Sequence, residues 1–381
     1  MNDPAKIIAF RPGALWPDNH GVHINAHGGG VLFHGGVYYW FGEHKITGEA
    51  GNTAHVGVHA YSSTDLYNWK DEGIALKVMD ATPLSNRDDG GAAATQSPIV
   101  RGCILERPKV VFNPRTQKFV MWFHLEPKDA GYAAALSGVA VADNVTGPFQ
   151  FVNAFRPNAG VWPENVPAEA KRELSPDEAA HVAKLDLPGG PVPYYPKNLL
   201  FRRDFAGGQM ARDMTLFVDD DGSAYHLYAS EANGTLHISR LSEDFLRPVG
   251  KFVRIFPGRF HEAPSVFKSR GKYFLITSDC SGWAPNSARV STADHIFGPW
   301  EELGNPCLGT NAQTATTFGA QSTFVLPVQD RPDAFIFMAD RWNPANAIDG
   351  RYVWLPIEFK HGAPVICWHD EWNLDFFTKL K

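Results

Sequence analysis

One phrase recurs five times along the 381-residue chain, and it dictates the kind of fold available. It runs as an apolar stretch, a tight turn and an aromatic-rich stretch. Its five forms are "VLFHGGVYYWFGE" (31–43), "KVVFNPRTQKFVMWFH" (109–124), "MTLFVDDDGSAYHLYAS" (214–230), "PSVFKSRGKYFLITS" (264–278) and "STFVLPVQDRPDAFIFMAD" (322–340). Gly-Gly, Asn-Pro, Asp-Asp-Gly, Arg-Gly and a longer polar loop supply the turns, so each phrase predicts a β-hairpin. Most are followed by a second phrase, in which a strand leads through a small or polar turn to an aromatic residue that opens another strand. "VHAYSSTDLYNWKDEG" (58–73), "VAVADNVTGPFQFV" (139–152), "LHISRLSEDFLRPVGKF" (236–252) and "ARVSTADHIFGPWEEL" (288–303) share that plan. About four antiparallel strands per unit, repeated around an axis, predict an all-β, five-bladed β-propeller. A double-sheet sandwich is the competing architecture.

Residues 156–212 break the pattern with proline and alanine, and read as a long insertion between blades. Within them "SPDEAAHVAKL" (175–185) predicts a short helix, with Ser175 as N-cap and Pro176 in its first turn. No linker divides the rest, so residues 1–381 are expected to form one catalytic domain. "KIIAF" (6–10) is expected to help close the ring, and the tail after Phe359 to complete the last blade.

The net charge of −6 argues against a nucleic-acid partner. No apolar run is long enough to cross a membrane. "MNDPAKIIAF" has no apolar leader core, which predicts a cytoplasmic protein; a trimmed leader would instead imply secretion or the periplasm. Cys103, Cys280, Cys307 and Cys367 are far apart and are expected to be buried free thiols. Aromatic residues make up 13%, which suits a β-rich core or a sugar-binding cleft. "HGGG" at 27–30 runs into a strand and not a helix, so a phosphate loop is rejected. These glycines are expected to let backbone pass close to a bound ligand.

A propeller gathers its site from loops at one mouth. Glu43, Glu106, Asp213 and Glu262 all stand at ends of inner hairpins, where an unpaired buried carboxylate is costly. One such acid is by default a solvated strand end, but four point to a site.

"HEAPSVFKSRGKYFLITSDCSGW", "ERPKVVFNPRTQKFVMWFH", "RDMTLFVDDDGSAYHLYAS" and "FGPWEELGNP" resemble glycoside hydrolase family 43, from about Ile24 to Phe359. "AHGGG…YYWFGE" and "GAQSTFVLPV" are similar to its exo-β-1,3-galactanase branch. The resemblance implies a five-bladed propeller that cleaves glycosidic bonds with inversion, using an acid and a base roughly 6.5–9.5 Å apart. It implies Glu262 as general acid, Asp213 as the carboxylate that tunes it, and Glu106 and Tyr132 as sugar contacts. Family members keep an Asp-Pro base before the first hairpin, whereas this chain has "NAHGGG", with Asn25 and His27 as the nearest polar residues. The branch assigns that role to a glutamine, which Gln321 matches. His27 and Glu43 remain alternative bases.

Ser281 and Trp283 are expected in a loop facing the cleft, Glu231 in the mouth, and Arg341 paired with a site carboxylate. Trp122, inside a strand, is expected to pack in the core. The resemblance leaves room for a calcium or similar ion near the axis, although no motif supports a metal. "DDDG" (219–222) reads as a hairpin turn. The expected partner is an oligo- or polysaccharide; oligomeric state stays open. Alternative functions are arabinofuranosidase, xylosidase or galactofuranosidase activity, or a non-catalytic sugar-binding propeller.

Overall fold

A computed structural model describes residues 6–80, 99–183 and 199–378. Five sheets, antiparallel but for one short edge pair, follow one another in chain order. The first holds β1 (His27–His34), β2 (Val37–His44), β3 (Gly57–Ser63) and β4 (Lys70–Lys77). The second holds β5 (Ile104–Asn113), β6 (Lys118–Glu126), β7 (Leu136–Ala142) and β8 (Gln150–Phe155). The third holds β9 (Met214–Val218), β10 (Ala224–Ser230), β11 (Thr235–Leu241) and β12 (Pro248–Ile255). The fourth holds β13 (Glu262–Ser269), β14 (Lys272–Ser278), β15 (Arg289–Ala293) and β16 (Glu301–Gly304). In the fifth, the short β17 (Cys307–Leu308) pairs in parallel with β21 (Ala363–Cys367), outside β18 (Gln321–Pro327), β19 (Phe335–Arg341) and β20 (Arg351–Lys360). This is the five-bladed propeller, and the sandwich is excluded.

The inner strands of each blade are largely buried on both faces, which explains why the hairpins read as apolar runs rather than as strict alternation. Period-two geometry sends neighbouring residues to opposite sides of a blade. Trp40 packs between blades one and five while Phe41 packs between blades one and two. Phe123 faces blade one and Trp122 faces blade three. Leu227 and Leu275 meet between blades three and four, and Phe274 and Phe337 between four and five. Five apolar clusters are therefore the five blade interfaces.

Residues 6–10 help close the ring through Phe10, although among the described residues the chain ends share a single antiparallel bridge and not a full strand. Phe10 exchanges backbone hydrogen bonds with Trp372 (2.7 and 3.1 Å) and stacks on its ring at 4.4 Å. The sequence plan of four strands per blade leaves no gap for an exchanged strand, so an aromatic plug does the sealing. The last blade does take its strands from the region around and beyond Phe359, as expected.

The stretch 156–212 lies between β8 and β9. Its described part carries α1 (Pro176–Ala183) and α2 (Leu199–Arg203). Ser175 Oγ accepts the Glu178 N–H while Glu178 returns a carboxylate to the Ser175 N–H, a capping box. Residues 184 and 185 of the expected helix lie outside the described residues. Cys103 and Cys307 are buried thiols, whereas Cys280 and Cys367 are partly exposed. "DDDG" forms the β9–β10 turn, and Asp219 ties it to Lys268 of the next blade at 2.7 Å.

Trp122 is fully buried, and its Nε1 donates to the Phe245 carbonyl at 2.8 Å. Trp122→Ala is expected to lower stability by about 3–5 kcal/mol in urea unfolding, through the cavity left between two blades.

Candidate functional site

The inner strand of each blade begins at the mouth. In four of the five inner hairpins one of the first three cross-strand pairs is followed by a one-residue bulge. The pairs at the mouth are His27 with Glu43, Glu106 with His124, Glu262 with Ser278, and Gln321 with Asp340. The residue after the pair that precedes the bulge is left-handed in three blades: Gly28 (φ 62°), Arg107 (φ 56°) and Ala263 (φ 50°). Such bulges bend a strand and re-aim its side chains. In the third blade Asp213 immediately precedes β9, and its carbonyl accepts the Ala229 N–H at 2.9 Å.

A cavity of about 160 Å³ results, and Glu43, Glu106, Asp213, Glu262, Gln321, Tyr132 and Trp283 all line it. Lys45, Arg107, Arg212, His124, Asn233, Asn52 and Trp342 join them, none of which the sequence had been read to place there. One signal for the bases was present. Three of the four acids have a cation within two residues in the chain: Lys45 after Glu43, Arg107 after Glu106, and Arg212 before Asp213.

Arg107, only 6% exposed, links four blades. Its guanidinium donates to Asp213 (Nε–Oδ1 3.1 Å, Nη2–Oδ2 2.8 Å), to the Ser322 carbonyl (3.1 Å) and to Gln321 Oε1 (2.6 Å). Its backbone N–H donates to Glu43 Oε1 at 3.0 Å. The Trp342 ring lies 5.4 Å from the guanidinium, and Trp342 Nε1 gives Gln321 Oε1 a second hydrogen bond at 3.0 Å. Gln321 Nε2 donates to Ser278 Oγ at 2.9 Å. Glu43 Oε2 sits 2.6 Å from Lys45 Nζ. Asn25 fixes the Lys45 backbone by two 2.8 Å bonds.

The acids sit in different environments. Burial, then the charge of Asp213, pushes the Glu262 carboxyl up to about 8. Asp213 turns Oδ2 to the Ala263 N–H at 3.1 Å, which keeps it beside Glu262. Burial alone would also raise Glu106. Hydrogen bonds from His124 (3.0 Å) and Tyr132 (2.8 Å) and the charge of Lys45 outweigh it, and the group falls to about 2. Burial opposes the charge on His124, but Glu106 and Glu126 on either side lift it to about 9.

Four expected site residues lie elsewhere. His27 is fully buried, stacks on Tyr352 at 5.3 Å and has both ring nitrogens without a hydrogen-bond partner. Burial, and then Lys45, holds it well below the usual histidine range, and it does not line the cavity. The bulge turns its ring behind the strand. Glu231 points beneath the mouth, into a buried pair with Arg254 and His237. Arg341 donates to the Phe318 carbonyl (Nε 3.1 Å, Nη2 2.8 Å) and lies over Trp368, because strand alternation turns it away from Asp340, its neighbour in the chain. Ser281 closes its own loop through Ala284 and Asn286, while its neighbours Gly282 and Trp283 reach the cavity.

The glycines also serve a different purpose from the one expected. A Cβ on Gly28 would stand 2.2 Å from Glu43 Oε1, and one on Gly29 would stand 1.7 Å from the Phe41 carbonyl oxygen. They make room for protein atoms, Glu43 above all. Among the described residues no three His, Cys, Asp or Glu side chains converge as a metal site. The carbonyls of Gly28 and Arg107, on inner strands, already receive Lys109 Nζ at 2.9 and 3.3 Å.

A family model for glycosyl hydrolases family 43 matches residues 169–363. Among solved structures, the GH43 β-1,3-galactosidase BT3683, with galactodeoxynojirimycin, is 46% identical (TM-score 0.84) over 96% of this chain and 100% of its own. The GH43 β-1,3-galactosidase BT0265 is 34% identical (TM-score 0.76) over 98% of this chain and 65% of its own. The exo-β-1,3-galactanase from Phanerochaete chrysosporium, as a glutamate-to-glutamine variant with β-1,3-galactotriose, is 30% identical (TM-score 0.73) over 96% and 68%. No curated protein matches.

Removing the hub should cost both stability and activity. Arg107→Leu leaves Asp213 and Gln321 without their donor, and is expected to destabilise the fold by roughly 3 kcal/mol or more in urea unfolding. Glycosidase activity is expected to be lost with it.

Proposed function

The chain belongs to glycoside hydrolase family 43, and on that premise we propose that it is an exo-acting β-1,3-galactosidase, releasing galactose from galactan chain ends with inversion. The observation that carries the reading is the contrast between two carboxyls in one cavity. Glu262 is lifted to about 8 and Glu106 is drawn down to about 2. Groups pushed apart in this way divide acid and charge-bearing roles. The identity with a β-1,3-galactosidase over its whole length supports galactose as the sugar.

Glu262 keeps its proton at neutral pH and gives it to the departing glycosidic oxygen. Asp213 stays beside it, so proton loss from Glu262 would create a second negative charge in a buried place. Glu106, oriented by Tyr132 and His124, offers ionised oxygens to sugar hydroxyls. Trp283, 38% exposed and edge-on to Trp342 at 5.8 Å, offers an apolar face at the mouth. Arg107 and Gln321 lie in the cavity wall beneath, an arrangement that suits a chain end.

Gln321 is assigned to the attacking water. Both hydrogen bonds to its Oε1 come from fixed donors, and one Nε2 proton goes to Ser278. As an amide it therefore holds water by its second N–H. Acting as a base would require the imidic form, whose proton would have to sit on Oε1 where Arg107 and Trp342 already point. Glu43, with Lys45 beside it, is the carboxylate in the same cavity able to take the water's proton.

Two experiments test these roles. Glu262→Gln is expected to lower kcat on β-1,3-galactobiose by roughly a thousandfold and to spare aryl galactosides with good leaving groups. In the unsubstituted enzyme kcat/KM should fall as pH rises through about 8, because the active form is the protonated one. Equal loss on both substrates removes Glu262 from the acid role. Gln321→Ala should lose at least about a hundredfold in kcat, with azide restoring turnover as the α-galactosyl azide. A near-normal rate excludes Gln321, and α-galactose as the first product in NMR reports inversion.

A further inference from the structure

Beneath the cavity, three successive non-glycine residues are left-handed: Glu231 (φ 52°), Ala232 (φ 55°) and Asn233 (φ 66°). Such conformations persist only where the surroundings over-determine them. Here they do so from two sides. Glu231, 5% exposed, is gripped by both arms of Arg254 (Nε–Oε1 2.6 Å, Nη2–Oε2 2.7 Å) and by His237 Nε2 at 2.8 Å. Ala232 is buried against Leu174, Val182, Leu199 and Leu200 of the stretch between β8 and β9. That stretch also holds Arg254. Phe201 of α2 lies under its guanidinium at 4.2 Å, and Asn165 pairs with its backbone at 2.6 and 3.0 Å.

The turn so fixed delivers one group to the cavity. Asn233 Nδ2 donates to Glu262 Oε1 at 2.7 Å, while Arg212 Nη1 holds Asn233 Oδ1 at 3.4 Å. Arg212 thus sets the orientation of the amide, with its nitrogen toward the acid. With Oε1 occupied as an acceptor, the transferable proton of Glu262 belongs on Oε2.

We infer that Glu231 is a positioning residue for the acid: through the 231–233 turn it holds Asn233 on Glu262 Oε1, and the insertion between blades two and three is the buttress of that turn. This rests on Glu262 being the proton donor. Asp213, Arg107, Arg212 and Cys280 also face Glu262, and none of them is substituted in the variants below.

The test follows kcat/KM against pH for Asn233→Ala, Glu231→Gln and the double variant, on β-1,3-galactobiose and on an activated aryl galactoside, with Tm beside each. A hydrogen bond to the carboxylate favours its charged form, so losing it raises the pKa of Glu262. Asn233→Ala should move the basic limb up by about one unit, with galactobiose hydrolysis falling about tenfold and the aryl galactoside little affected. Glu231→Gln should move the limb the same way, and the double variant should match Asn233→Ala. If Glu231→Gln lowers Tm but leaves limb and substrate ratio untouched, or if the two effects add, the inference is overturned. Should Glu231→Gln fail to fold, Asn233→Ala still decides, since it leaves the buried ion pair intact; an unmoved limb overturns the inference. Failure of the underlying reading looks different: Glu262→Gln would then retain both galactobiose hydrolysis and the basic limb.

Discussion

The Arg107 guanidinium is the contact on which the site depends. Four carboxylates from four blades share one small cavity, and in low dielectric their mutual repulsion would disperse them. Arg107 neutralises Asp213 directly, reaches Glu43 through its backbone N–H, and orients Gln321 with the same Nη2 that meets Asp213. Asp213 is thereby held beside Glu262, and its charge, after burial, is what raises that carboxyl.

The fold was legible because each blade is covered on both faces. Adjacent bulky residues such as Trp40 and Phe41 each need a partner, and five hairpins with that property close into a ring. The acids were legible for a related reason: a carboxylate at the entry to an apolar strand must be answered by something. What answers it was less visible. The partners of the Arg107 side chain lie 106, 214 and 215 residues away, and no local pattern announces such a convergence. Direction was also hidden. His27 and Glu43 are paired across the first hairpin, yet the bulge after them puts the carboxylate in the cavity and the imidazole behind the strand. Arg341 follows Asp340 and is turned away by simple alternation. Glu231 was expected in the mouth, but the bidentate grip of Arg254 draws it inward, and Arg254 lies on β12, a strand with no local sign of that role.

The glycines of "HGGG" show how a correct observation can carry the wrong cause. The absence of Cβ atoms does matter there, since Glu43 Oε1 and the Phe41 carbonyl occupy the space. The close neighbour is the protein's own first blade, folded tightly enough to admit a carboxylate at its rim.

The bulge at the mouth of four inner strands has a consequence for how such a chain can change. It divides each strand into two registers. Residues inward of it interlock with neighbouring blades and answer to packing, whereas Glu43, Glu106, Glu262 and Gln321, at or outward of it, line the cavity. A substitution at the rim, such as the loss of an aspartate before the first hairpin, leaves the interlocking register untouched. Chemistry and architecture are thereby inherited on separate segments of one continuous strand, and the first can be rewritten without renegotiating the second.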